Sequence, residues 1–226
     1  MVDKEKTDSL LGYQVHKALL DAGCETPMIA TELAMIEKDA EAQVKEIEEA
    51  VDTIMVALGL DIEDDSLRKT PHRVGKMYVN EVFYGLDYRN FPRTMTIENK
   101  MGFNSMVVER KIKVHSFCEH HLLPFIGEAT IAYVPNDRIM GLSKLNRVVD
   151  FFCRRPQVQE RLGEQIYAAL SYLLGTDNVA VQIRAEHFCV KMRGAMDVNS
   201  DTVTTKLGGV FFNSSLRNEF YQAIKL

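Results

Sequence analysis

Cys118, Glu119, His120 and His121 stand in a row, and His187 and Cys189 follow far downstream, two positions apart. In a turned backbone a three-residue offset lets Cys118 and His121 aim at one ion. Positions two apart on a strand project from one face, about 7 Å apart along the chain, which the β-rich surroundings of His187 and Cys189 suggest for that pair. Thiolate and imidazole are ligands that zinc prefers, so the two segments together point to a zinc site. The ligand count leaves the kind of site open. Three protein ligands with a free fourth position make a catalytic centre, whereas Cys118, His121, His187 and Cys189 together would close a structural Cys₂His₂ site. Each segment alone also has a plain reading, with His187 and Cys189 as core residues and His120 and His121 as exposed loop histidines. A cytidine-deaminase centre is excluded, because the sequence lacks its H-x-E and P-C-x-x-C pair.

A second group suits an anion. In GLSKLNR, residues 141–147, Ser143 and Lys144 fall at an expected helix N-terminus and Arg147 follows about one turn later. Ordinary capping with solvated charges is the alternative. Arg73, Lys191 and Arg193 are further cations whose spacing does not show that they meet. Glu160 in PQVQER suits the start of a helix through the dipole alone, and Cys24 and Cys153 read as packing residues.

The chain of 226 residues, 46% hydrophobic, is long enough for a sizeable core. Its net charge of −5 argues against a protein that coats a nucleic acid polymer, while leaving room for a local basic site. The charged opening MVDKEKTDSL and the lack of an apolar run near 18 residues give no signal peptide or membrane span, so a cytoplasmic protein is expected. The four cysteines form no C-x-x-C pair, which fits reduced thiols.

The elements that must position these residues follow from periodicity. Residues 9–21 predict a helix stopped by Gly23, and 31–58 a longer one with Val44, Ile47, Val51, Ile54, Met55 and Leu58 on one face, stopped by Gly59. Thr70 as cap and Pro71 in the first turn open a third, with Val74, Met77, Tyr78 and Val82 as its stripe and Gly85 as its end. Residues 1–95 therefore read as an N-terminal helical region and 96–226 as the domain with the chemistry. From Met106 the period becomes two, interrupted at Arg110, and FIGEATIAYV alternates again before a PND turn. Ser143 caps an expected helix with Leu145, Val148, Val149 and Phe152 inward. Pro156 starts another with Val158, Leu162, Ile166, Leu170 and Leu173, ended by Gly175. Strands at 178–191 and LGGVFF and a helix at 216–224 complete the chain. Two strands, two helices and two strands in that order indicate an α+β fold with a mainly antiparallel sheet.

The strings CEHHLLPFIGEATIAYVP, GLSKLNRVVDFF, RRPQVQERL and HFCVKMRG, in this order, closely resemble the GTP cyclohydrolase I family. The resemblance begins at DDSLRKTPHRVGKMYVNEVFYGLDY and runs to LGGVFF. It implies a tunnelling fold, an antiparallel sheet backed by paired helices, assembled into a toroidal homodecamer with active sites between subunits. Position by position it makes Cys118, His121 and Cys189 the zinc ligands and leaves His120 and His187 for proton transfer. His187 is the preferred donor because it shares the expected strand face with Cys189. The resemblance also sets Ser143, Lys144, Arg147 and Arg193, with Arg73 from another subunit, against the triphosphate of GTP, and Gln159 and Glu160 on the guanine and sugar side. The implied reaction opens the imidazole ring at C8, releases formate and gives 7,8-dihydroneopterin triphosphate. Another tunnelling-fold enzyme acting on a pterin or deazapurine would not keep all these strings together, and a noncatalytic zinc protein would release no formate.

Overall fold

The computed structural model describes residues 2–28 and 39–225. The Asp8 carboxylate accepts from the Leu11 amide at 3.0 Å and opens α1 (Ser9–Asp21), and Gly23, at φ +66°, ends it as expected. Of the second expected helix, residues 31–38 lie outside the described residues; α2 (Ala40–Ala57) is the rest, and Gly59 at φ +78° follows it. Val44 and Met55 are buried, but Ile54 and Leu58 are exposed, which corrects the expected stripe. α2 packs mainly on α3 (Thr70–Met77), and one neighbouring helix covers only part of a stripe. Pro71 does lie in the first turn of α3, although the cap position falls to Lys69 without a side-chain bond. α3 continues into a π turn at Tyr78–Val82. Gly85 is no left-handed stop: a Cβ there would strike the carbonyl oxygens of Phe151 and Arg154, so glycine is needed for close approach.

β1 (Thr96–Glu98) and β4 (Arg138–Met140) form a small antiparallel ribbon. The main sheet contains β2 (Val107–Cys118), β3 (Pro124–Tyr133), β5 (Pro156–Gln157), β6 (Val179–His187) and β7 (Thr202–Leu207), in the order β5-β2-β3-β6-β7. Every neighbouring pair is antiparallel except β2–β5. A bulge between Glu109 and Ile112, with Lys111 at φ 58°, explains why Arg110 breaks the alternation; its guanidinium donates to the Ala223 carbonyl at 2.8 Å.

α4 (Leu142–Cys153) packs on β2 and α5 (Gln159–Leu174) on β6, and the expected inward residues Leu145, Val148, Val149, Phe152, Leu162, Ile166, Leu170 and Leu173 are buried. Three boundaries differ from expectation. Gly141, not Ser143, holds the cap position of α4. Pro156 does not start α5 but forms β5 with Gln157, a place at the sheet edge where its missing N–H costs no ladder bond. β6 ends at His187, after which Phe188–Lys191 make one helical turn, α6. LGGVFF is likewise no strand: β7 ends at its first residue, Leu207, and Gly209–Phe212 form a 3-10 turn. α7 (Ser214–Lys225) closes the chain, with Phe220 edge-on to Phe211 at 5.8 Å. The observed order is the expected α+β one. Among the described residues no helix is long and apolar enough to cross a membrane.

A buried charge fastens α1 to this framework. Val15 and Leu19 of α1 share the apolar core of α4, α5 and the sheet. Arg155 is fully buried, pairs with Glu25 at 3.1 Å and donates to the Gly85 carbonyl. The rings of Tyr88, Phe151 and Phe152 flank its guanidinium at 5.1, 5.0 and 4.9 Å. Burial works to raise the Glu25 carboxyl, but hydrogen bonds from His16 and Tyr88 and the Arg155 charge outweigh it and hold the group below its ordinary value.

Candidate metal and active site

β2 delivers Cys118 as its last residue, and the chain then turns back through Glu119–Leu122, with Leu122 at φ 51° and its amide donating to the Cys118 carbonyl at 2.8 Å. From the other side, the single turn of α6 presents Cys189. One ligand atom each from Cys118, His121 and Cys189 lie within 4.8 Å of one another. Ligands at 2.0–2.3 Å from a tetrahedral ion stand roughly 3.5 Å apart, so a shift of about 1 Å would complete the geometry. Burial, and then the neighbouring Cys118 sulfur, raise the Cys189 thiol; a cation between the sulfurs would favour both thiolates. Arg193 donates to Nε2 of His121 at 2.9 Å, so one of the expected anion-binding cations borders this group.

The helical turn after β6 corrects the expected strand face. His187 and Cys189 do not project side by side; Cys189 joins the group, while Nε2 of His187 lies 2.8 Å from Gln159 Oε1 and its ring stacks on Phe125 at 4.7 Å. Burial lowers the His187 pKa, against the nearby charge of Glu160. Nδ1 of His120 is 3.6 Å from the Cys118 sulfur, and this imidazole is exposed. Arg161 pairs with both carboxylate oxygens of Glu119, holding the CEHH turn to α5. Glu160 is exposed in the first turn of α5, while Gln159 is 2% exposed. Sequence reasoning passed over Arg161 and Phe125, since an arginine on a helix and a phenylalanine in a strand carry no signal of their own.

The remaining expected residues lie elsewhere. β3 runs from Phe125, beside His187, to Tyr133, whose hydroxyl accepts from the Met140 amide just before α4 at 3.2 Å. A strand of that length spans about 30 Å. Ser143 and Lys144 therefore start α4 at the end of the sheet opposite the Cys118 group. Arg147 lines a cleft with Asp3, Lys6, Glu81, Asp150 and Arg154. Arg73 is exposed on α3. Of the five expected triphosphate contacts, Arg193 adjoins His121, while Ser143 and Lys144 lie across the sheet from it.

Fold and site define a class first: an α+β protein in which the end of one strand of a mainly antiparallel sheet and two turns beyond its strands bring together three side chains that could hold a metal ion. Residues 47–225 match the family model of GTP cyclohydrolase I. GTP cyclohydrolase 1 of Tolumonas auensis is 54% identical over 207 residues, 91% of this chain and 94% of that protein. Its counterparts in Yersinia enterocolitica and Serratia proteamaculans are 53% and 52% identical over 212 residues, each covering 93% of this chain and 94% of the relative. The chain belongs to the GTP cyclohydrolase I family.

Proposed function

We propose that this enzyme converts GTP to 7,8-dihydroneopterin triphosphate and formate, the first step of pterin and folate biosynthesis, with one zinc ion per subunit held by Cys118, His121 and Cys189. The convergence of two thiols and an imidazole within 4.8 Å carries the reading, and this donor set suits zinc. Zinc held there supplies a Lewis acid and lowers the pKa of a water molecule toward about 7. The chain's own residues do the rest. His187 gives a proton to the imidazole-ring nitrogen of the guanine as the ring opens at C8, with His120 as the alternative donor. A second hydrolysis of the resulting formamide frees formate, and rearrangement of the ribose with ring closure and loss of one water gives the 7,8-dihydroneopterin triphosphate.

Ser143, Lys144, Arg147, Arg193 and Arg73 offset the triphosphate charge, and Glu160 faces the guanine side. Because the start of α4 lies across the sheet from the Cys118 group, these residues reach one substrate only if two copies contribute. That separation supports sites shared between subunits; the toroidal homodecamer, the tunnelling fold, the cytoplasmic location and the division into an N-terminal helical region, 1–95, and a catalytic domain, 96–226, rest on the family likeness and the sequence pattern. The test is formate release from GTP beside metal content by elemental analysis. Wild type should hold about one zinc per chain, and Cys189→Ser should lose metal and turnover together; a metal-free variant that still releases formate would refute the proposal.

A further inference from the structure

His120 and His187, the two candidate proton donors, are held very differently. His120 sits exposed on a turn, whereas His187 is gripped by ring stacking on Phe125, at 4.7 Å and 13°, and by Gln159. Gln159 is the first residue of α5, and its amide nitrogen faces three oxygens: the carbonyls of Ile183 at 3.1 Å and Thr202 at 3.0 Å, and the Thr204 hydroxyl at 3.1 Å. A hydroxyl can donate or accept, but two carbonyls only accept. The amide NH₂ must therefore face them, which turns Oε1 toward His187. An amide oxygen also only accepts, so Nε2 of His187 carries hydrogen, and neutral His187 has its lone pair on Nδ1.

We propose that Gln159 is a positioning residue that fixes this tautomer, so that Nδ1 of His187 is the atom through which the proton passes to the substrate. The step balances: imidazolium gives its Nδ1 proton to the guanine ring nitrogen, keeps the Nε2 hydrogen on Gln159, and is reprotonated at Nδ1 from water. The inference rests on His187 being the proton donor. It replaces the guanine-side role that the resemblance implied for Gln159, whose amide hydrogens are engaged by β6 and β7 and whose side chain is buried. With anchors on α5, β6 and β7, the grip fixes the imidazole against three elements at once.

Nitrogen NMR of the zinc-loaded protein with ¹⁵N-labelled histidine, at a pH where His187 is neutral, reads the tautomer directly; His187→Ala assigns the signal. Hydrogen on Nε2 is expected, and hydrogen on Nδ1 would overturn the inference. Gln159→Leu should keep its zinc and its KM for GTP, lose about 10–100-fold in kcat, as when the partner orienting an imidazole is removed, and show a mixed His187 tautomer. A raised KM with unchanged kcat would return Gln159 to substrate binding, and unchanged kinetics would deny it any role. Should Gln159→Leu fail to fold, the wild-type spectrum decides. Full turnover in His187→Ala would instead defeat the proton-donor reading and leave the tautomer result standing, so the two failures are distinguishable.

Discussion

In the proposed function His121 and His187 do opposite things, one holding a cation and the other moving a proton. The difference is readable in substitution. His121→Ala should lose metal and turnover together, because it leaves an ion with two thiolates and solvent. His187→Ala should retain zinc and lose roughly 10²–10⁴-fold in turnover, the usual cost of a missing general acid. His120→Ala should also retain zinc. Zinc content plotted against formate release checks all three, and a His187→Ala protein without zinc would redraw the ligand set. At this scale much was legible. The C-x-x-H spacing announced Cys118 and His121, but Cys189 reached the set by a route that spacing hid. FCVK reads as a continuing strand, and only tertiary packing makes it a helical turn that parts Cys189 from His187. Gln159 was singled out only through the family resemblance, and for the guanine side; its bond to His187 gave no warning, since a glutamine opening a helix is ordinary until the oxygens around it are seen.

Among the elements, the joint between α1 and the α4–β5 corner bears the most concentrated charge. Arg155→Leu would leave the Glu25 carboxylate buried without its cation and should cost about 3–5 kcal/mol, measurable as a lower midpoint in urea. The same joint sets an acid limit. Glu25 is held below its ordinary value of 4.5, so the stability it contributes is complete above that value and is lost as pH falls through its lower folded value. Urea midpoints from pH 6 to pH 3 should therefore drop in wild type and drop less in Glu25→Gln; equal slopes would place the acid sensitivity elsewhere. The helices of the sheet layer and the stops at Gly23, Gly59 and Gly175 were legible because apolar stripes and glycine stops are local, whereas the stripe of α2 and the role of Gly85 depend on what packs alongside. Pro156 misled because proline suits a helix start and a sheet edge equally, and the choice depends on β2 lying alongside.

At the scale of the whole molecule, the distance between Lys144 and the Cys118 group becomes a test of assembly. Lys144→Ala and His187→Ala subunits, each poorly active at low GTP, should regain about a quarter of wild-type turnover when dissociated and reassembled together, if each site draws on two copies. No recovery would place all the machinery in one subunit. The separation cannot be read from GLSK and HFCV, because each string is complete within itself and their relation is fixed by the length of β3. The main sheet adds a constraint of its own. Its two margins are unlike: β7 offers six residues along one side, while β5 covers only two residues of β2 on the other. Joining copies through like margins would strand the other pair in solvent. Joining unlike margins is directional, each copy handing its neighbour the same invitation it received, and such a series leaves no open strand only when it bends round and meets its own beginning.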